Sequence, residues 1–113
     1  MLFIPVDPGY AFDYLSILEI KRTQGFSDIT TIEECITILK AQLGVGKYYL
    51  VKDSPEYVDV RAANIKTFIA VDSAKINKCS AKDVQDANHE RYLAKKRLQE
   101  RFFPDSPLVE KKN

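Results

Sequence analysis

Apolar positions in this chain recur at helical spacing, and four segments carry the pattern. The first runs from Pro8 to about Gln24, with Asp7 placed as an N-cap, Pro8 at the first helical position and Gly25 just past the end. Ala11, Tyr14, Leu15, Ile17 and Leu18 share one broad face of it. A second helix starts at Thr30 or Thr31, because Thr30 with Glu33 and Thr31 with Glu34 both have capping-box spacing. Ile32, Ile36, Leu39 and Leu43 then repeat at 4-3-4 spacing, and Gly44 closes the segment.

Ser54 and Pro55 open a long third helix that reaches about Ile76. It carries two apolar strips. One is a seam of Val58, Ala62, Ile65, Ile69, Asp72 and Ile76; the other holds Tyr57, Val60, Phe68 and Val71. A helix that is apolar on two sides needs cover on two sides, so this one is either central to a bundle or half of a subunit interface. The fourth helix begins at Ser80 with Asp83 at capping-box spacing and ends at Phe102 or Phe103, where Pro104 follows. Its seam is Val84, Asn88, Arg91, Lys95, Leu98 and Phe102.

Two short stretches do not declare themselves. Leu2 to Val6 reads as an extended edge strand carrying Pro5, and Lys47 to Val51 as either its strand partner or a short helical connector. The expected architecture is all-α: a four-helix antiparallel bundle over residues 1–103, with a two-stranded pairing of 2–6 and 47–51 as an optional addition and an irregular tail at 104–113.

Composition narrows the class. A chain of 113 residues suits one domain, and 45% hydrophobic with 29% charged residues describes a globular chain. The uncharged apolar runs are too short to cross a bilayer, and no basic region precedes Met1-Leu2-Phe3, so no signal peptide and no membrane partner are expected. The 17 basic residues against 16 acidic ones give no bulk attraction to polyanions. Cys35 and Cys79 are far apart and read as free thiols of a reducing, cytoplasmic compartment. With His89 as the single histidine, no metal site and no cofactor is expected. A Cys79–His89 catalytic pair is set against a surface histidine, which the helical phase favours.

Phase, not total charge, marks the candidate chemistry. The middle of the fourth helix's seam is an amide and two cations, although its outer face already carries Asp86, Glu90, Lys96, Arg97, Glu100 and Arg101. Lys21 falls in phase with Tyr14, Ile17 and Leu18, and Asp72 lies in the third helix's seam. Lys21, Asn88, Arg91 and Lys95 are thus directed to a common interior, with Asp72 or Asp13 as charge partners. An unpaired buried cation is costly, so this set is either closed internally or receives an anion. In the closed reading Lys21 and Lys95 snorkel along their stems, Arg91 pairs with Asp72 and Asn88 satisfies a backbone group. In the open reading a phosphate or carboxylate small molecule sits there with Arg91 as its bidentate contact. Asp13 and Glu19 fall off the apolar face in this phase and are expected to be solvated.

The segment Ile4-Pro5-Val6-Asp7-Pro8-Gly9, continuing through Asp13, Leu15 and Ile17-Leu18-Glu19-Ile20-Lys21, resembles the opening of a small bacterial domain-of-unknown-function family, roughly I-P-V-S-x-G-E-x-x-D-K-L-T-I-L-E-I-K. Asn88-His89-Glu90-Arg91 followed by Lys95 is similar to that family's N-D-E-R-x-x-x-K, and Asn64, Phe68 and Asp72 to its middle helix. Asp7, Tyr10 and Tyr14 depart from the Ser, Glu and Lys of the pattern. The resemblance implies no activity; it includes Lys21, Asn88, Arg91 and Lys95, which phase had already selected.

Three function classes follow from the sequence. The first is a small binding or assembly domain, a homo-oligomer through the third helix with an anionic small molecule among Lys21, Asn88, Arg91 and Lys95. The second is an enzyme of chorismate-mutase-like helical type, stabilising charge with Arg91, Lys95, Lys21 and Gln99. The third is weak nucleic-acid binding by Glu90 to Arg101, disfavoured because its cations spread around the helix with no aromatic platform between them.

Overall fold

The computed structural model describes residues 5–25, 28–78 and 80–106. Capping residues and glycines set the element boundaries. Asp7 accepts the Tyr10 N–H at 2.7 Å and Pro8 begins α1, Pro8–Thr23. Asp28 accepts the Thr31 N–H at 3.0 Å and starts α2, Ile29–Leu43, two residues before the later of the two expected starts. Gly44, at φ +87°, caps the end of α2 and the beginning of α3, Val45–Lys52, so the chain turns there without a β-carbon in a disfavoured region. Ser54 caps α4, Pro55–Lys75, and Ser80 with Asp83 forms a complete capping box on α5, Ala81–Phe102.

The all-α expectation holds, with five helices among the described residues. Residues 47–51 lie within α3 and take the helical alternative, so their strand pairing with 2–6 does not form; residues 1–4 lie outside the described residues. Of the expected tail, residues 104–106 lie in a turn closed by the Ser106 N–H on the Phe103 carbonyl at 3.0 Å, and residues 107–113 lie outside the described residues. No helix among the described residues is long and apolar enough to cross a membrane.

α4 and α5 form an antiparallel hairpin, and ion pairs mark its sense. Glu56 at the start of α4 meets Arg101 at the end of α5, and Lys66 meets Glu90 further along at 2.8 Å. α1 lies against α2, α4 and α5, and α3 bridges α2 to α4. The central position of α1 explains its burial on more than one side: Phe12, Leu15, Leu18 and Ile20 are buried, and so are Asp13 and Ser16. Phe12, fully buried, packs against Tyr48, Tyr57 and Phe103 with ring centroids 6.1 to 6.3 Å apart. The expected α1 face, which held Tyr14 and omitted Phe12, is rotated from the observed one; Tyr14 is exposed.

The larger correction concerns α4. Its inward strip is Tyr57, Val60, Ala63, Asn64 and Thr67. The expected seam lies on the other side: Val58, Ile69 and Ile76 are each 62% exposed, Ile65 is 41% exposed, and Ala62 and Asp72 are exposed too. The hairpin also outreaches the body it packs on. Full burial in α4 stops at Thr67 and in α5 begins at Ala87, so the turns beyond them project, in a molecule 44 Å long and 27 Å across its shortest axis.

Candidate functional site

The interior face shared by α1, α4 and α5 contains a polar layer. Asp13, which follows Phe12 at the middle of α1, is 1% exposed and is bonded to side chains of α4 and α5. Arg91 of α5 grips it with two bonds, Nη2 to Oδ2 at 2.5 Å and Nε to Oδ1 at 3.3 Å. Asn64 of α4 donates to Asp13 Oδ1 at 2.8 Å and to Ser16 Oγ at 2.6 Å, and Ser16 returns its hydroxyl proton to the Asp13 carbonyl at 2.8 Å. Asp13 therefore joins all three helices, and each of its carboxylate oxygens has a donor.

One turn further along α5, Lys95 is buried at 1% exposure with its Nζ 5.7 Å from the Tyr10 ring centroid. Burial pulls the Lys95 ammonium below its ordinary value of 10.5; the carboxylates of Asp13 and Asp7 oppose that pull and Arg91 adds to it. Next along the same face, Gln99 accepts the Gly9 N–H at 2.6 Å and donates to the Ser106 carbonyl at 2.9 Å. The approach is close: a β-carbon on Gly9 would stand 2.9 Å from Gln99 Oε1 and 3.3 Å from Lys95 Cγ, so one of these side chains would have to shift. Two carboxylates, Asp7 and Asp13, are thus set against two cations, Arg91 and Lys95, and the layer is balanced in formal charge.

The structure brings together Arg91, Lys95 and Asp13 from the sequence-derived set, and leaves out Lys21, Asn88 and Asp72. Lys21 is exposed in the last turn of α1, seven residues beyond exposed Tyr14 and hence on the same solvated side, where a cation complements the helix's carbonyl end. Asn88 is exposed, its amide donating to the Val84 carbonyl of its own helix at 3.1 Å. Asp72 is exposed with the rest of its seam and takes no part in the Arg91 pairing. Asp13, expected to be solvated, is among the most buried side chains. Sequence reasoning passed over Ser16 and Asp7 in this layer, and reached Asn64 only through the resemblance. Asn64 shares a helical face with Val60 and Thr67, and that polar step in an apolar strip was the available signal.

A second polar cluster lies at the other end of α1. Glu19, also expected to be solvated, accepts the Tyr57 hydroxyl proton on Oε1 and holds Lys52 Nζ at 3.1 Å on Oε2. Burial, then the bond to Glu19, drives the Tyr57 phenol far above its ordinary range. Burial followed by the Glu19 charge raises Cys35 to about 11 and Tyr48 to about 12. A thiol held protonated in this way is a poor nucleophile. Cys79, half of the alternative Cys–His pair, lies outside the described residues.

No family model, curated protein or solved structure matches the chain.

Proposed function

We propose that this chain is a small helical assembly domain that works by covering the exposed stripe of α4 with another helix. The observation that carries the reading is the conflict between pattern and packing: Val58, Ala62, Ile65, Ile69, Asp72 and Ile76 have the 4-3-4-3-4 spacing of a helix–helix seam, and the seam faces solvent. Four large apolar side chains in line on one exposed face exceed the scatter of single surface hydrophobics and mark an interaction surface. The balanced polar layer supports the same reading from the other side. Arg91 is engaged by Asp13, and Asp7 and Asp13 oppose the two buried cations, so the layer serves to join α1, α4 and α5. An anion among Arg91 and Lys95, or charge-stabilising catalysis by them, would first have to displace that pairing. The compartment proposed is cytoplasmic, on the two widely spaced cysteines.

Substitution Ile69→Lys tests the reading. It should abolish association in sedimentation experiments while leaving the thermal midpoint of the single chain nearly unchanged, because Ile69 is 62% exposed within one copy. Equal sedimentation of Ile69→Lys and the unaltered chain would contradict it. A parallel melt with millimolar phosphate and citrate addresses the anion reading, which expects a concentration-dependent rise in the midpoint.

A further inference from the structure

We infer that the helix covering α4 is α4 of a second copy, running antiparallel, with Ala62 of one copy opposite Asp72 of the other. This rests on the assembly reading and adds to it a partner, a direction and a register.

The seam itself carries the argument. Its 4-3-4-3-4 spacing reads the same from either end, so a two-fold axis near Thr67 lays Val58 on Ile76, Ala62 on Asp72 and Ile65 on Ile69. These are the mixed layers that an antiparallel helix pair makes along a heptad seam. Asp72 decides the direction. In a parallel, in-register pair it would meet its own copy, two like charges between the Ile69 and Ile76 layers of an apolar strip. A parallel pair slipped by one heptad avoids that contact but sets Asp72 against Ile65 and leaves layers uncovered at both ends. The antiparallel register instead places Asp72 over Ala62, the smallest residue of the seam, beside Arg61. That arrangement gives the carboxylate both room and an opposite charge. Lys66, which flanks the axis, is already held by Glu90 at 2.8 Å, so two lysines can approach there with their charge offset.

The fold leaves the seam free for this. Tyr57, Val60, Ala63, Asn64 and Thr67 face the chain's own core, and the seam lies on the opposite side of the same helix. The hairpin projects past the body, so the later seam residues stand clear of α1 and α2. A pair of such hairpins would bring two copies of α4 together with α5 outside each.

Cysteine cross-linking in a Cys35→Ala, Cys79→Ser background tests direction and register. Val58, near the start of α4, and Ile76, its C-cap, are about 27 Å apart at the helical rise of 1.5 Å per residue, so self-linking and cross-linking cannot be confused. Mixing Val58→Cys chains with Ile76→Cys chains under mild oxidation should give a mixed disulfide dimer, and Val58→Cys alone should give almost none. Efficient self-linking of Val58→Cys would overturn the antiparallel register while leaving assembly through α4 intact. A single-chain mass for the unlinked background protein in sedimentation would overturn both. Charge reversal supplies a second reading. Asp72→Arg should weaken association about two- to fivefold, and Arg61→Asp in the same chain should restore it, as expected for an exposed ion pair. Additive weakening by the two reversals would count against the Asp72–Arg61 contact.

Discussion

Asp13 is the residue on which the interior depends. Arg91 and Asn64 both donate to its carboxylate, so removing that carboxylate leaves two donors without their acceptor beside a buried position. We expect Asp13→Ala to lower unfolding free energy by about 3 kcal/mol in urea titrations, and Asp13→Asn by clearly less because it keeps acceptor and volume. Gly9→Ala acts next door: the added carbon meets Gln99 Oε1 at 2.9 Å, so the Gln99 side chain that accepts the Gly9 N–H must shift. A loss of about 1–2 kcal/mol in the same assay is expected. Arg91 and Lys95 could be singled out from sequence because charge at core spacing conflicts with its surroundings. Asp13 was legible only as an alternative charge partner to Asp72 and was expected to be solvated, because the face assigned to α1 was centred on Tyr14 rather than Phe12, and that rotation turned a buried carboxylate toward water. A helix buried on several sides has no single apolar stripe from which to read its phase.

At the scale of elements, caps and glycines were the legible part. Asp7-Pro8, Ser54-Pro55, the Ser80–Asp83 box and Gly44 all stand where boundaries fall, since these residues satisfy end groups by local chemistry alone. What local chemistry does not contain is the choice between strand and helix for 47–51, which tertiary contact of Tyr48 and Val51 with the core decides. Nor could it tell which strip of α4 faces in. Asn64 and Thr67 make the buried strip look less apolar than the exposed one, and the buried pairing with Asp13 reverses the inference. The contact of α2 and α3 over Glu19 yields a pH prediction. Cys35 is raised from 9.0 to about 11 and Tyr48 from 10.0 to about 12. For such acids the native state holds protons that the unfolded state has lost, so their stabilisation is full below the ordinary values and drains away as pH rises toward the raised ones. Lys95 works in the opposite sense, its lowered value making stability rise with pH below 10.5. Urea midpoints should fall from pH 9 to 11, and Cys35→Ala should flatten that fall. A decline equally steep in Cys35→Ala would reject the assignment to the thiol.

For the whole molecule, the two faces of α4 divide the work. The inner face, with its polar fastening to Asp13, fixes one arrangement of α1, α4 and α5; the outer face presents a seam to a second copy. A single helix pair with Ala and Asp in its layers makes a small interface, so association in the range of about micromolar is expected. The most direct measurement is sedimentation velocity of the 113-residue chain over about a hundredfold range of concentration. The account predicts that weight-average mass rises from that of one chain, 12.9 kDa, toward that of two. A mass of 12.9 kDa at every concentration would contradict it.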